Sequence, residues 1–388
     1  MTAVALSTGP RLPGVRKIAV LRANAIGDYL FAVPALQSLR AAYPDSEIVL
    51  LGAPWHQEFL AGRPGPVDRV VPVPARAGVR EPADDEAEDA NEQEAFLAAM
   101  RGERFDLAVQ MHGGGRYSNP FVRLLGARRT AGFQAPDAVS LDISLPYAFY
   151  QPEVIRFLEL VGLLGAAPAA LEPRLELTGE DLAQAHTALA GLTGPVVALH
   201  PGATDSRRRW PTDRFVAVGD GLAAHGASVV VTGSVAEREV VHEVVTGMQT
   251  SARPVVGGVT LGGLAGVYSR CAVLVSNDTG PRHLAHAVGT ATVGVYWCGN
   301  MINAGPLTRR RHRAHVSWTV HCPLCGAHAV QQELPAEHAG RGCEHGASFV
   351  ESVSADPVLH DAVELLSADS APAGGRPDDL RGAGRTRP

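Results

Sequence analysis

Residues 17–51, KIAVLRANAIGDYLFAVPALQSLRAAYPDSEIVLL, carry the reading of the fold. Ile18–Leu21 is a short apolar run of the kind that forms a strand buried on both faces of a parallel sheet. Ala25–Asp28 reads as a turn, and Leu30–Ala42 has helical spacing that Tyr43-Pro44 stops. Glu47–Leu51 is the next strand. Strand, helix and strand in this order form the repeating unit of a doubly wound α/β sheet.

Outward from this unit the pattern continues. Val67–Val73 and Phe105–Met111 read as strands, the second running into the glycine-rich loop HGGGRYSNP. Residues 76–94 are acidic and poor in apolar groups, an exposed loop leading to a helix around Ala95–Met100. Glu153–Leu164 is helical. A second α/β series starts at Pro195. VVALH, SVVVTG, CAVLVSND and ATVGVYW read as strands, with TDRFVAVGDGLAAHG, AEREVVHEVVTGM, LGGLAGVYSR and TGPRHLAHAVG as helices between them. ADPVLHDAVELLSAD is a last amphipathic helix. The expected organisation is two α/β domains, 16–168 and 169–367, followed by a disordered tail, 368–388. Two such domains face each other across a cleft at the C-terminal ends of their strands, where ligands bind.

The 388 residues are 46% hydrophobic, enough for two cores. A net charge of −6 argues against a nucleic-acid binder, whose footprint is basic, and against tight adhesion to anionic lipid. No apolar run reaches the roughly 18 residues that span a bilayer, and the N-terminus does not read as a signal peptide. The expected compartment is the cytoplasm. Five cysteines in a chain of this length do not suggest a disulfide framework.

Four segments can carry chemistry. In SNDTGPRHLAHAVG, residues 276–289, a strand ends at a tight turn and Pro281 opens a helix, whose free N–H groups and positive end suit a phosphate. Asp278 as a simple helix cap is the alternative. In ALHPGATDSRRRWPTDRF, residues 198–215, Arg207, Arg208 and Arg209 form a cationic cluster whose guanidinium forks suit a diphosphate, the alternative being a solvated basic loop. Asp28 stands at the mouth of the expected cleft, where a carboxylate could remove a proton from a hydroxyl; local sequence favours a helix cap there. Cys322, Cys325, Cys343 and His345 have a spacing resembling a four-ligand zinc set, but not that of a standard knuckle. Reduced structural thiols are the reading adopted, with no metal at the chemistry.

Together these segments resemble family 9 glycosyltransferases, the ADP-heptose heptosyltransferase group of lipopolysaccharide core synthesis. The strand, arginine, Gly-Asp pair and Tyr-Pro stop of the opening, VVALHPGA with RRRWPTDRF, VVVTGSVAERE, and above all SNDTGPRHLAHAVG carry the likeness, which covers residues 16–365. The resemblance implies a GT-B fold of two facing Rossmann-like domains, with the acceptor in the first and the donor in the second. It implies an inverting transfer that requires no metal or other cofactor, from a nucleotide sugar such as ADP-heptose to a hydroxyl of a glycan or small-molecule acceptor. It makes Asp28 the general base and assigns the donor to Asp278, Thr279, Gly280 and His283. Arg209 would face the diphosphate and Glu237 the nucleoside. Residues 76–94 would be an insertion, and contact with a membrane surface stays open. Two rivals share the donor cradle: a GT-B nucleotide-sugar epimerase and a non-catalytic nucleotide-sugar binder. A dehydrogenase is set aside because no G-x-G-x-x-G follows the first strand.

Overall fold

The computed structural model describes residues 8–82, 86–327 and 345–370. The N-terminal half runs β1 (Lys17–Leu21), α1 (Ile26–Ala42), β2 (Glu47–Gly52), α2 (Pro54–Leu60), β3 (Arg69–Pro72), α3 (Ala90–Glu103), β4 (Leu107–Gln110), α4 (Ser118–Leu124), β5 (Arg129–Gln134), β6 (Ile143–Pro146) and α5 (Glu153–Gly162). The C-terminal half runs α6 (Gly179–Leu189), β7 (Val196–His200), α7 (Thr212–Ala224), β8 (Ser228–Gly233), α8 (Arg238–Gly247), β9 (Ala252–Val256), α9 (Leu261–Ser269), β10 (Cys271–Asn277), α10 (Gly280–Ala287), β11 (Ala291–Trp297), α11 (Cys298–Ala304), β12 (His312–Ser317) and α12 (Ala355–Ser370).

Each half forms one six-stranded sheet, with orders β3-β2-β1-β4-β5-β6 and β12-β11-β10-β7-β8-β9. All the strand pairings are parallel. The two orders are the same when each half is numbered from its own first strand, and both are the doubly wound order of a Rossmann domain. Every residue of β10 and β11 is buried, which is why their sequences are predominantly apolar on both faces rather than alternating. This is the GT-B architecture.

The order reverses between β1 and β4 in one sheet and between β7 and β10 in the other, and such switch points open crevices at the C-terminal strand ends. The two crevices face each other because the halves share packing. Buried side chains of α1 and α5 join those of α9 and α10 in one apolar cluster. Arg63 and Asp181 form a buried ion pair between the halves at 2.7 Å, and Asn303 Nδ2 donates to the Phe149 carbonyl at 2.7 Å.

The described residues of 76–94 make specific contacts rather than lying free as a solvated loop. Arg76 and Arg80 make a short antiparallel bridge, Arg80 pairs with Glu86, and Asp89 caps α3, which starts at Ala90. Cys343 and residues 371–388 lie outside the described residues, and α12 continues to Ser370. No helix among the described residues is long and apolar enough to cross a membrane.

Candidate functional site

The first switch point delivers Asp28. Gly27 lowers local helix propensity, yet α1 starts at Ile26 because Asp28, in its first turn, reaches back to accept from the Ala25 N–H at 3.2 Å. Its other oxygen accepts from Arg22 at 3.0 Å. Arg22 is buried, and it is fixed by the Asp28 and Met111 carbonyls and by the Phe157 ring beneath it. The carboxylate therefore has a set orientation, and its side chain is still 39% exposed toward the cleft. Capping and facing the cleft are both true of Asp28.

The second switch point delivers the Asp278-Thr279-Gly280 turn after β10. Thr279, not Asp278, is the N-cap of α10, and its side chain makes no capping hydrogen bond. Asp278 is instead buried and bonded sideways. His283 Nε2 stands 3.4 Å from one of its oxygens, and Asn300 Nδ2 donates to the other at 3.1 Å. Burial pushes this carboxyl up, but the His283 bond and the nearby Arg282 and Arg208 charges outweigh it and hold the group ionised. His283 moves the other way: burial and the Arg282 charge push it down to about 4, so the imidazole is neutral at pH 7. The Arg282 guanidinium donates to His283 Nδ1 at 2.7 Å, which leaves the ring proton on Nε2, directed at Asp278.

The loop after β7 closes the floor, and its three arginines diverge. Ser206–Arg208 form a single 3₁₀ turn. Arg207 folds back on Asp205 at 2.7 Å. Arg208 turns into the cleft, donates to the Asp278 carbonyl at 3.2 Å, and keeps its Nε buried without a hydrogen-bond partner. Arg209 is exposed and donates to the Ala203 carbonyl at 2.8 Å. The loop is tied to β10 by Asn277, whose side chain accepts from the Trp210 N–H at 3.0 Å and donates to the Pro201 carbonyl at 2.8 Å. Glu237 accepts from the Ser234 N–H at 2.8 Å and lies over Gly202, where a Cβ would come within 2.0 Å of its carboxylate.

These groups line one hollow of about 300 Å³ between the domains, among them Asp28, Glu153, Arg208, Asp278, Thr279 and His283. The N-termini of α1 and α10 meet there: a Cβ on Gly27 would lie 3.1 Å from His283, and one on Gly280 would lie 2.5 Å from Ile26. Two positive helix ends and Arg208 make a site for an anion, with Asp28 beside it as a carboxylate able to accept a proton. Arg209 and Glu237 do not line this hollow. Arg22 and Asn300 are not singled out by the sequence, and Arg208 appears there only as one of three clustered arginines, of which Arg209 is the one assigned to the diphosphate. Arg22 had a visible signal as the arginine between the first strand and the Gly-Asp pair, and Arg208 lay inside the basic run.

A family model described as glycosyltransferase family 9 (heptosyltransferase) matches residues 94–325, more than half of the chain. The chain belongs to glycosyltransferase family 9. This family 9 enzyme is 23% identical over 342 residues to the lipopolysaccharide heptosyltransferase 2 of Escherichia coli K12, covering 83% of this chain and 92% of the relative. It is 25% identical to an Escherichia coli lipopolysaccharide heptosyltransferase 3, covering 71% of this chain and 85% of that protein. Among solved structures, a family 9 glycosyl transferase from Veillonella parvula superposes with a TM-score of 0.75 at 20% identity, covering 93% of this chain and 99% of that one. The Escherichia coli ADP-heptose lipopolysaccharide heptosyltransferase II gives 0.69 at 18%, covering 92% and 100%. The family 9 enzyme is thus a glycosyltransferase with the GT-B fold.

Proposed function

We propose that this glycosyltransferase moves a heptose from ADP-heptose or a closely related nucleotide sugar to a hydroxyl of a glycan acceptor, with inversion and without a catalytic metal. The carrying observation is the single hollow lined by both Asp28 and the Asp278–His283 turn with Arg208. The donor chemistry is supported by the names of its relatives, which include lipopolysaccharide heptosyltransferases and an Escherichia coli heptosyltransferase solved with ADP-2-deoxy-2-fluoro heptose. The enzyme works in the cytoplasm, and a membrane-borne acceptor is met at the surface.

The acceptor hydroxyl attacks the anomeric carbon from the face opposite the departing diphosphate, and Asp28 takes its proton as the bond forms. Glu153 also faces the hollow, but it is committed to Arg156 and Arg22 and its side chain is only 17% exposed. Of the three carboxylates that line the hollow, Asp28 is the one substantially exposed to it, which suits a single displacement. Charge grows on the diphosphate as it leaves, and the N-terminus of α10, the Thr279 hydroxyl and Arg208 stabilise it without reorganising. The ionised Asp278 stands behind the turn, where the hydrogen bond from Asn300 and the close approach of His283 hold the turn's shape. Arg209 and Glu237 flank the diphosphate and nucleoside ends of the donor from outside the hollow.

Calorimetry with ADP, GDP, UDP and dTDP tests the donor reading. ADP is expected to bind, and Arg208→Ala to weaken it by 1.5–3 kcal/mol, roughly ten- to a hundredfold, as for a hydrogen bond to a charged group. Arg209→Ala should cost less. No binding by any of the four, or equal losses in the two variants, would overturn the assignment.

A further inference from the structure

Outside the cleft, two thiols and an imidazole converge. The ligand atoms of Cys322, Cys325 and His345 all lie within 4.8 Å of one another, and Cys322 Sγ is 3.8 Å from His345 Nδ1. A tetrahedral ion holding sulfur at about 2.3 Å and nitrogen at about 2.0–2.1 Å sets these two ligands roughly 3.6 Å apart. The observed separation is therefore that of two corners around one ion.

The backbone is shaped to the same end. Gly326 N–H donates to the Cys322 carbonyl and Cys322 N–H to the Ala327 carbonyl, both at 2.8 Å. Gly326, directly after the second cysteine, has a φ of 73°, a left-handed conformation that glycine adopts without strain. The resulting tight turn folds Cys325 back over Cys322. Burial of a thiol in the core would account for Cys322, which packs with Trp297, Phe349 and Val350. It does not account for the exposed Cys325, or for a histidine brought back 20 residues later to the same point.

The segment after His345 links this cluster to the cleft. Phe349 N–H donates to the Arg207 carbonyl at 2.8 Å, and Ser348 Oγ to the Arg209 carbonyl at 2.7 Å. Gly346 lies against Ser206, whose Oγ would be 3.1 Å from a Cβ placed there. Residues 345–350 thus strap the 3₁₀ turn that aims Arg208.

We infer that Cys322, Cys325 and His345 bind a thiophilic divalent transition ion, zinc or iron(II), as a clamp that fixes the strap and with it the Arg208 turn. Both sulfurs ligate as thiolates, so binding releases their protons to solvent, with no change of oxidation state. The ion takes no part in the transfer.

Elemental analysis of the full chain, purified with its thiols reduced, tests this. About one equivalent of zinc or iron per chain is expected, and the element found tells the two apart. Cys325→Ala, at an exposed position, should lose the metal while still folding, as judged by circular dichroism; His345→Gln should weaken retention. Trace metal in the reduced wild-type chain, or full metal in the Cys325→Ala variant, would overturn the site. Metal content reads out whether or not the proposed donor is right. The clamp role rests on that donor reading and has its own arm: stripping the ion with a chelator should raise the donor KM more than it lowers kcat, reversibly on adding metal back. An unchanged KM in stripped protein that still binds ADP would overturn the clamp.

Discussion

Asp28 combines two duties that are usually alternatives. As a helix cap it needs only an acceptor oxygen for the Ala25 N–H, and as a partner of Arg22 only a second one. As a base it needs a negative charge. Asparagine keeps one acceptor and the shape, and removes the charge, so Asp28→Asn separates the duties. Loss of a general base costs about 10²- to 10⁴-fold. The expected result is a kcat lowered by that factor with donor KM little changed, and a modestly lower melting temperature, because the amide NH2 must face one of the two donors, at a cost of about 1–3 kcal/mol. A variant that turns over like the parent would remove Asp28 from the chemistry and leave it a cap. Arg22 offers the reverse experiment of nature: buried and satisfied by two carbonyls, it sets where Asp28 points without touching the hollow itself.

Among the elements, α1 and α10 decide whether the two half-sites meet. Neither Gly27 nor Gly280 has a positive φ, so what they supply is space rather than an unusual backbone. A methyl on Gly280 would press Ile26 Cγ2 at 2.5 Å and wedge the helix ends apart. Overpacking of this kind costs about 1–3 kcal/mol. Gly280→Ala should lower the melting temperature and raise the donor KM, and adding Ile26→Ala should recover much of both, as a double-mutant cycle detects. If the second substitution recovers nothing, the close helix approach is not what the glycine serves. The sequence made these elements legible where burial is nearly complete: β1, β10 and β11 are built on apolar runs, Ile18–Leu21, Cys271–Val275 and Val293–Trp297, and α10 opens with Pro281 after a glycine turn. It hid β5 and β6: the buried stretch of β5, Thr130–Phe133, is interrupted by a threonine and a glycine, and β6, at the sheet edge, is only partly buried and ends in a proline. It also hid which arginine of the run enters the cleft. That choice is made by a 3₁₀ turn of three residues and by contacts with 348–349, far along the chain.

On the scale of the whole molecule, the shared apolar cluster ties the two domains into one packing unit, and it is accompanied by buried histidines that take up a proton less readily in the folded chain than in the unfolded one. His56 in the first domain and His283 and His312 in the second are all at most 5% exposed. Burial is the leading cause in each, pushing His56 and His312 down to about 3 and His283 to about 4, from an ordinary value of 6.5. The unfolded chain binds protons at these sites below pH 6.5 and the folded chain does not, so stability is present above that pH and is lost as the pH falls toward the folded values. Each site contributes a slope of about 1.4 kcal/mol per pH unit, and the three together roughly 4 kcal/mol per unit. Set against a typical total of about 5–15 kcal/mol, one to two pH units below the histidine range removes a large part of the stability. Melting temperature followed by scanning calorimetry should therefore fall steeply between pH 6.5 and pH 5, where ordinary carboxylates are still ionised. Replacing His312 with Gln should shallow that slope by about one proton's worth. A melting temperature that stays level across this window would mean that these imidazoles gain protons in the folded chain, and that the neutral His283 ring holding Asp278 is not the form present at the site.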